Sequence, residues 1–326
     1  MSDPLVSVHM ITYNHAPYIS RAIEGVLKQK TSFPFDLVIG EDCSTDGTLE
    51  IVLDYCKKYP KLVRVVTSEQ NVGMKKNNWR TLRKCLGKYI AWCEGDDYWH
   101  RDDKLQIQID FLEKNPEYGL VSSDYDRVDL KEKEKIRSFR RYSGKNKQEF
   151  SIYDIISGED YLITCTVEAR KELVLRVIEA DEYLHLDEHF KMGDTQLWAE
   201  ISLLSKIHCL DDSLATYQIL EESATQSNNL LKKLEFWISN SEMCMYICNK
   251  HGLPNMIRRQ HEKNWINKSL KLAYYGNRLE LANCVKKKYP LLSLNNYIWY
   301  LGAKYSLAGL LVNFFVNQIK PILKKI

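Results

Sequence analysis

Four times in its first hundred residues the chain passes from a short, β-prone apolar run to an amphipathic helical stretch. That alternation constrains the fold more than any other feature. The runs are 5–11, 37–40, 62–67 and 89–93, each short, apolar and rich in β-branched residues. Between the first two, Tyr18, Ile19, Ala22, Ile23, Val26 and Leu27 recur at helical spacing after Pro17, a residue suited to a first helical turn. Ser44, Thr45 and Asp46 supply N-cap chemistry for a second helix whose apolar face is Ile51, Val52, Tyr55 and Cys56. A third helix is expected over 78–86. Strand and helix alternating at this spacing predict parallel strands joined by right-handed crossovers, a doubly wound, mostly parallel α/β sheet.

In such a sheet, ligands gather where the strands end. Asp42 directly follows the second run, and Glu94, Asp96 and Asp97 follow the fourth, with Gly95 among them. Three carboxylates within four residues repel one another unless a counter-charge is present, and a hard divalent cation supplies one. The plainer reading is a solvated acidic turn. The chain has neither G-x-x-x-x-G-K-[ST] nor G-x-G-x-x-G. A nucleotide diphosphate held here would therefore be neutralised by metal rather than by a glycine-rich loop.

Further along, Leu105, Ile107, Ile109, Phe111 and Leu112 mark a helix stopped by Asn115 and Pro116. A strand is expected at 120–123. The charged stretch 131–147 reads as a mobile surface loop, of the kind that often serves as a lid. Another strand is expected at 164–167, and a closing pair of short strands at 206–210 and 214–217. Asp194 opens a helix carrying Leu197 and Trp198. It is either a simple N-cap or a group returned to the sheet edge.

From about residue 227 the pattern is helical only, with helices expected over 230–251 and 258–275. The chain thus divides into 1–225 and 226–326. Residues 297–316 are aromatic and apolar and are followed by Lys320, Lys324 and Lys325, so 297–326 reads as a segment lying in a membrane interface, with a packed or dimeric helix as the alternative. Hydrophobic content of 44% and charged content of 27% belong to a globular chain, and a net charge of +3 gives no basis for nucleic-acid binding. The nine cysteines are scattered and odd in number, and the first residues lack the basic-then-apolar run of a signal peptide. Reduced thiols in a cytoplasmic protein are expected. Cys244, Cys248 and His251 have a metal-compatible spacing, but are more simply read as an inward helix face.

Taken together, these segments resemble family-two glycosyltransferases of the bacterial polysaccharide type. Residues 6–14 are similar to the family's opening strand and loop. Residues 41–48, Glu-Asp-Cys-Ser-Thr-Asp-Gly-Thr, resemble its D-D-x-S-x-D-x-T signature, with Glu41 replacing the first Asp. Residues 94–99 resemble its D-x-D-like metal motif, and Asp194 with Leu197 and Trp198 resembles the segment carrying its general base. The resemblance covers roughly 5–225. It implies a GT-A type fold and an inverting transfer from a nucleotide-diphosphate sugar to a hydroxyl of a glycan or lipid-linked glycan, at the cytoplasmic face of a membrane. It also implies that Tyr13, Asp42 and Asp96 bind the nucleotide, that Asp97 binds Mg2+ or Mn2+, and that Asp194 is the base. Where many members carry Tyr-Arg after the closing strand, this chain has Tyr217 and Gln218, so a basic contact to the diphosphate is missing there. A catalytically degenerate binding protein of the same fold and a nucleotidyltransferase stand as alternatives.

Overall fold

The computed structural model describes residues 3–131, 133–158, 160–220 and 229–305. Its first four strands, β1 (Val6–Thr12), β2 (Phe35–Glu41), β3 (Val63–Val66) and β4 (Tyr89–Trp92), alternate with α1 (Ile19–Leu27), α2 (Thr48–Lys58) and α3 (Met74–Leu82). All four pair in parallel, β2 between β3 and β1, and β1 between β2 and β4. Helices on both faces of a parallel sheet exclude water from both sides, which is why β1 is buried at nearly every position rather than at alternate ones. α1 covers one face with Ile19, Ala22, Ile23 and Val26, spaced at three and four residues.

The chain continues through β5 (Tyr98–Trp99), α4 (Lys104–Lys114), β6 (Tyr118–Asp129), β7 (Glu134–Ile136), α5 (Phe139–Tyr142), α6 (Ile152–Ser157), a 3-10 turn at Thr164–Thr166, β8 (Glu168–Arg170), α7 (Lys171–Ala180), α8 (Glu182–His185), α9 (Thr195–Ile201) and β9 (Lys206–Ile219). These strands extend the sheet in the order β3-β2-β1-β4-β8-β6-β9-β5, with β7 pairing on β6. β8 runs antiparallel to both β4 and β6, while β6 and β9 are parallel. The sheet is therefore mostly parallel with antiparallel insertions, the expected class.

Four local expectations are corrected. The third helix starts at Met74 rather than at residue 78, because Gly73, with φ of 86°, turns the chain into it. Residues 164–166 form a 3-10 turn, and the strand lies just beyond, at Glu168–Arg170. The closing pair of short strands is one strand, β9, whose register against β6 shifts near Asp124 to absorb the polar stretch 211–213. The expected lid at 131–147 is largely anchored. β7 pairs with β6, the Asp124 carboxylate accepts the N–H groups of Arg140 and Arg141, and the buried Arg140 side chain is ion-paired to Asp160 at 2.7 Å. A high density of charge suggested a solvated loop, but here acidic groups on β6 receive it.

The chain forms two compact units, one of residues 1–188 and 193–220, the other of 189–192 and 221–326. The second is helical, with α10 (Leu230–Lys250), α11 (Asn255–Tyr275), α12 (Leu279–Lys288) and α13 (Leu294–Lys304). Ile266, Leu270, Ala273, Ala282, Val285 and Trp299 form a core among its last three helices. Cys244 and Cys248 are buried on α10, and His251 follows the end of that helix. No helix among the described residues is long and apolar enough to cross a membrane. Most of the segment 297–326, namely 306–326, lies outside the described residues.

Candidate active site

Register brings the motifs together. Thr12, at the end of β1, pairs with Glu41, at the end of β2, and His9 of β1 pairs with Trp92, at the end of β4. Tyr13, Asp42 and Glu94 to Asp97 therefore leave the sheet along one edge. The Glu94–Asp97 turn needs Gly95: a Cβ there would stand 2.6 Å from Thr12 Oγ1 and 3.0 Å from His15 Nδ1, closer than packed atoms tolerate.

The loops after β1 and β2 are stitched to each other by side chain-to-backbone bonds. Asn14 accepts from the Thr45 N–H and donates its own N–H to Ser44 Oγ, both at 2.9 Å, while Asp46 accepts the N–H groups of Ala16 and Thr48. Asn14 and Cys43 hold positive φ, 55° and 60°, in these turns. Glu41 is fully buried, and its carboxylate accepts the N–H groups of Cys43 and Ser44 and the Thr67 hydroxyl. Asp42 is 2% exposed. Its two oxygens accept the N–H groups of Val72 and Gly73, each at 3.0 Å, and Arg80 approaches at 3.4 Å. Tyr13 is 44% exposed at the rim, with its ring open to solvent.

The acidic cluster is less compensated. Asp97 is 2% exposed. Burial, with the adjacent charge of Asp96, pushes its carboxyl well above the usual range, opposed by the Gln218 N–H donating at 2.8 Å and by the Cys165 thiol. Glu94 is half-buried and is also pushed well above its ordinary value, by burial first and then by the charges of Asp97, Asp96 and Asp194. Asp194 thus belongs to the same electrostatic group. It caps α9 by accepting the Thr195 N–H, and it accepts the Thr164 hydroxyl at 3.0 Å. Thr164 and Cys165 are consecutive, so the 3-10 turn contacts Asp194 with one side chain and Asp97 with the next. Behind α9, Trp198 packs edge-on against Trp92 at 5.1 Å.

None of Glu94, Asp96, Asp97 or Asp194 has an ion-pair partner among the described residues, which is the environment a divalent cation would relieve. No three acidic, imidazole or thiol side chains among the described residues converge as a complete metal cage.

The structure adds residues that motif reading passed over. Gln218, notable in sequence only as a missing basic contact, holds the cluster in place: its N–H bonds Asp97 and its side-chain amide donates to the Asp96 carbonyl. Arg80 ties Asp42 to the Glu41 carbonyl, which it reaches at 2.7 Å. Lys75, 7% exposed, donates to the Asp187 carbonyl at 2.7 Å, and Met74 lies 3.5 Å from the Cβ position of Gly193, so α3 supports the approach to Asp194. Local sequence gives no signal for Lys75, which acts across more than a hundred residues.

A family model described as "Glycosyl transferase family 2" matches residues 7–162, a span that includes Tyr13, Asp42, Asp96 and Asp97 but not Asp194. The chain is 30% identical to an uncharacterised protein of Mycobacterium tuberculosis over 62% of this chain and 59% of that one, so it spans well under two thirds of that relative's length. It is 38% identical to the putative teichuronic acid biosynthesis glycosyltransferase TuaG of Bacillus subtilis, over 33% of this chain and 42% of TuaG. Among solved structures it resembles S. aureus TarS in complex with UDP, with a TM-score of 0.55, 18% identity, and coverage of 97% of this chain and 92% of that one. It also resembles a mannosyltransferase of Pyrobaculum calidifontis in complex with GDP-Man and Mn2+, with a TM-score of 0.54, 15% identity, and coverage of 98% and 89%. The fold is of the GT-A type that these structures share, and over residues 7–162 the sequence is similar to glycosyl transferase family 2.

Proposed function

We propose that the protein is an inverting, metal-dependent glycosyltransferase that moves a sugar from a nucleotide-diphosphate sugar to a hydroxyl of a glycan or lipid-linked glycan in surface polysaccharide synthesis. The observation that carries this reading is the group of four carboxylates without an ion-pair partner among the described residues, at the end of β4 and the start of α9, on the sheet edge where Tyr13 and Asp42 also emerge. The names of TuaG and of the UDP- and GDP-Man-bound structural neighbours support a nucleotide-sugar donor and a polysaccharide context.

In this reading residues 1–225 are the catalytic domain and 226–326 a helical region. Tyr13 stacks on the base, Asp42 accepts from it, and Asp96 meets the ribose. Asp97 is the residue that would hold Mg2+ or Mn2+, and a divalent ion there would supply stabilisation of the charge that collects on the leaving diphosphate. Asp194 accepts the proton of the attacking hydroxyl. Its carboxylate is aimed by the Thr195 N–H and the Thr164 hydroxyl, so little reorientation is needed when the acceptor arrives. One displacement by the acceptor oxygen inverts the anomeric carbon, and no carboxylate nucleophile is required. A lipid-linked acceptor would be met at the cytoplasmic membrane face, with 297–326 as the contacting segment.

The test is a panel of UDP-, GDP- and dTDP-sugars incubated with the protein and Mn2+, read for the phosphorus product. Release of nucleoside diphosphate is expected. Pyrophosphate release in a parallel incubation with nucleoside triphosphates and sugar 1-phosphates, with no diphosphate released from the nucleotide sugars, would make the protein a nucleotidyltransferase, and binding without turnover on any acceptor would make it a degenerate binding domain.

A further inference from the structure

Charge is unevenly distributed along this chain. Residues 281–326 contain seven lysines and no acidic residue. With +3 overall, residues 1–280 carry a formal net charge of 3 − 7 = −4. The described part of the basic stretch comprises the end of α12, a short connection and α13. Lys287 and Lys288 are exposed at the end of α12. Just beyond them stand Leu291, 97% exposed, and Leu294, 79% exposed.

α13 has two faces. Trp299 and Gly302 are buried, and Ile298 and Ala303 pack against the helical core. The opposite stripe, at three- and four-residue spacing, is Leu294, Tyr297, Leu301 and Lys304, with Tyr297 41% exposed, and Tyr305, 51% exposed, follows just beyond the helix in extended backbone. A helix packed on a core normally turns polar residues outward. Here the outward stripe is leucine and tyrosine bordered by lysine. Lys286 lies 5.3 Å over the Tyr297 ring, and Lys304 5.2 Å over that of Tyr305. Apolar side chains, interfacial aromatics and lysines on one face are what a helix lying in a headgroup layer presents.

We propose that the end of α12 and the start of α13, with the exposed Lys287, Lys288, Leu291, Leu294 and Tyr297, dock on an anionic phospholipid surface. The charge argues for this occupant over a second copy of the chain. A two-fold contact would set the same patch against itself, lysines facing lysines with no acidic residue in the stretch to receive them. An anionic leaflet supplies the opposite charge over an extended area, and the exposed leucines enter the boundary between headgroups and acyl chains. The proposal deepens the membrane part of the reading above and extends it to residues before 297. It uses none of the carboxylate site, so vesicle binding and sugar transfer can fail separately.

The experiment is co-sedimentation of the full chain with vesicles of phosphatidylcholine alone or with about 30 mol % phosphatidylglycerol, in about 0.1 M salt. Binding is expected to the mixed vesicles only, and to weaken as salt rises. Lys287→Gln with Lys288→Gln should weaken partitioning about 30-fold. Leu291→Ser with Leu294→Ser should weaken it about tenfold, and because both leucines are exposed, thermal unfolding should not change. No binding to mixed vesicles, equal binding to both kinds, or full binding by both double variants would overturn the proposal. So would a concentration-dependent dimer that the leucine variant abolishes in a protein that ignores vesicles.

Discussion

Asp42 offers the sharpest separation between holding the fold and holding a ligand. Each of its oxygens faces an N–H: Oδ1 accepts from Val72 and approaches Arg80, and Oδ2 accepts from Gly73. Asp42→Asn keeps the shape but turns one of those acceptors into a donor. With the amide nitrogen toward Val72, that N–H loses its acceptor in a site that is 2% exposed; with it toward Gly73, the Gly73 N–H keeps Asn71 Oδ1, which it also reaches at 3.0 Å, but faces an NH2 group. The lost bond and the weakened pair with Arg80 together cost about 1–3 kcal/mol. For a unit of this size each kcal/mol corresponds to about 2–4 °C, so the sheet-bearing unit should melt roughly 4–8 °C lower at the middle of that range. The amides of Val72 and Gly73 should exchange with deuterium about 30-fold faster or more, since the bonds that protect them are the ones changed. Both measurements are made without nucleotide. A variant melting within about 2 °C of the parent, with unchanged exchange at Val72 and Gly73, would show that the carboxylate does not hold this loop and would leave it only the ligand role.

Four further outcomes are expected. Asp97→Asn, or excess chelator, should abolish turnover of a nucleotide sugar, measured as nucleoside diphosphate release; full activity in either case removes the metal assignment. Asp194→Asn keeps an N-cap oxygen for the Thr195 N–H, so unfolding and nucleotide affinity should hold while turnover falls about a hundredfold or more; turnover within a few-fold of the parent at saturating acceptor returns Asp194 to a capping role. His9 is buried, and burial lowers its pKa to about 4 despite its bond to the Asn78 carbonyl. The unfolded chain then binds a proton from about pH 6.5 that the folded chain refuses until about pH 4. This one residue should therefore remove about 3 kcal/mol of stability as pH falls through that window, and the difference between parent and His9→Gln in urea midpoints should flatten if the argument fails. Lys104 and Glu168 are both fully buried; burial lowers the first to about 8 and raises the second to about 8, each opposed by the other's charge. Lys104 donates to Gln108 Oε1, so Lys104→Met should cost about 1–3 kcal/mol through the oxygen left without a donor, and adding Glu168→Leu should restore the electrostatic part of that loss; additive losses in that double-mutant cycle would show that the two residues are not coupled.

Repetition along the chain determined the sheet. Apolar runs bounded by helix caps can be read locally because a buried parallel strand must be apolar throughout and a crossover helix must be apolar on one side. The same local logic put Asp42 and the Glu94–Asp97 cluster at strand ends. It failed where a partner distant in sequence decides the outcome. Residues 164–166 are β-prone, yet they turn because the Ile163 carbonyl accepts from Thr166 and because Thr164 reaches Asp194, thirty residues on. The charged stretch 131–147 looked solvated because nothing near it in sequence announces Asp124, Asp126 and Asp160 as its partners. Gln218 carried no sign of a role until β9 brought its backbone N–H to Asp97, 121 residues away. Sequence shows which residues can be charged, apolar or capping. Whether a carboxylate is satisfied, like Asp42, or left uncompensated, like Asp97, depends on the donors that the tertiary fold delivers to it, and in this chain that difference separates the loop's anchor from the candidate metal ligand.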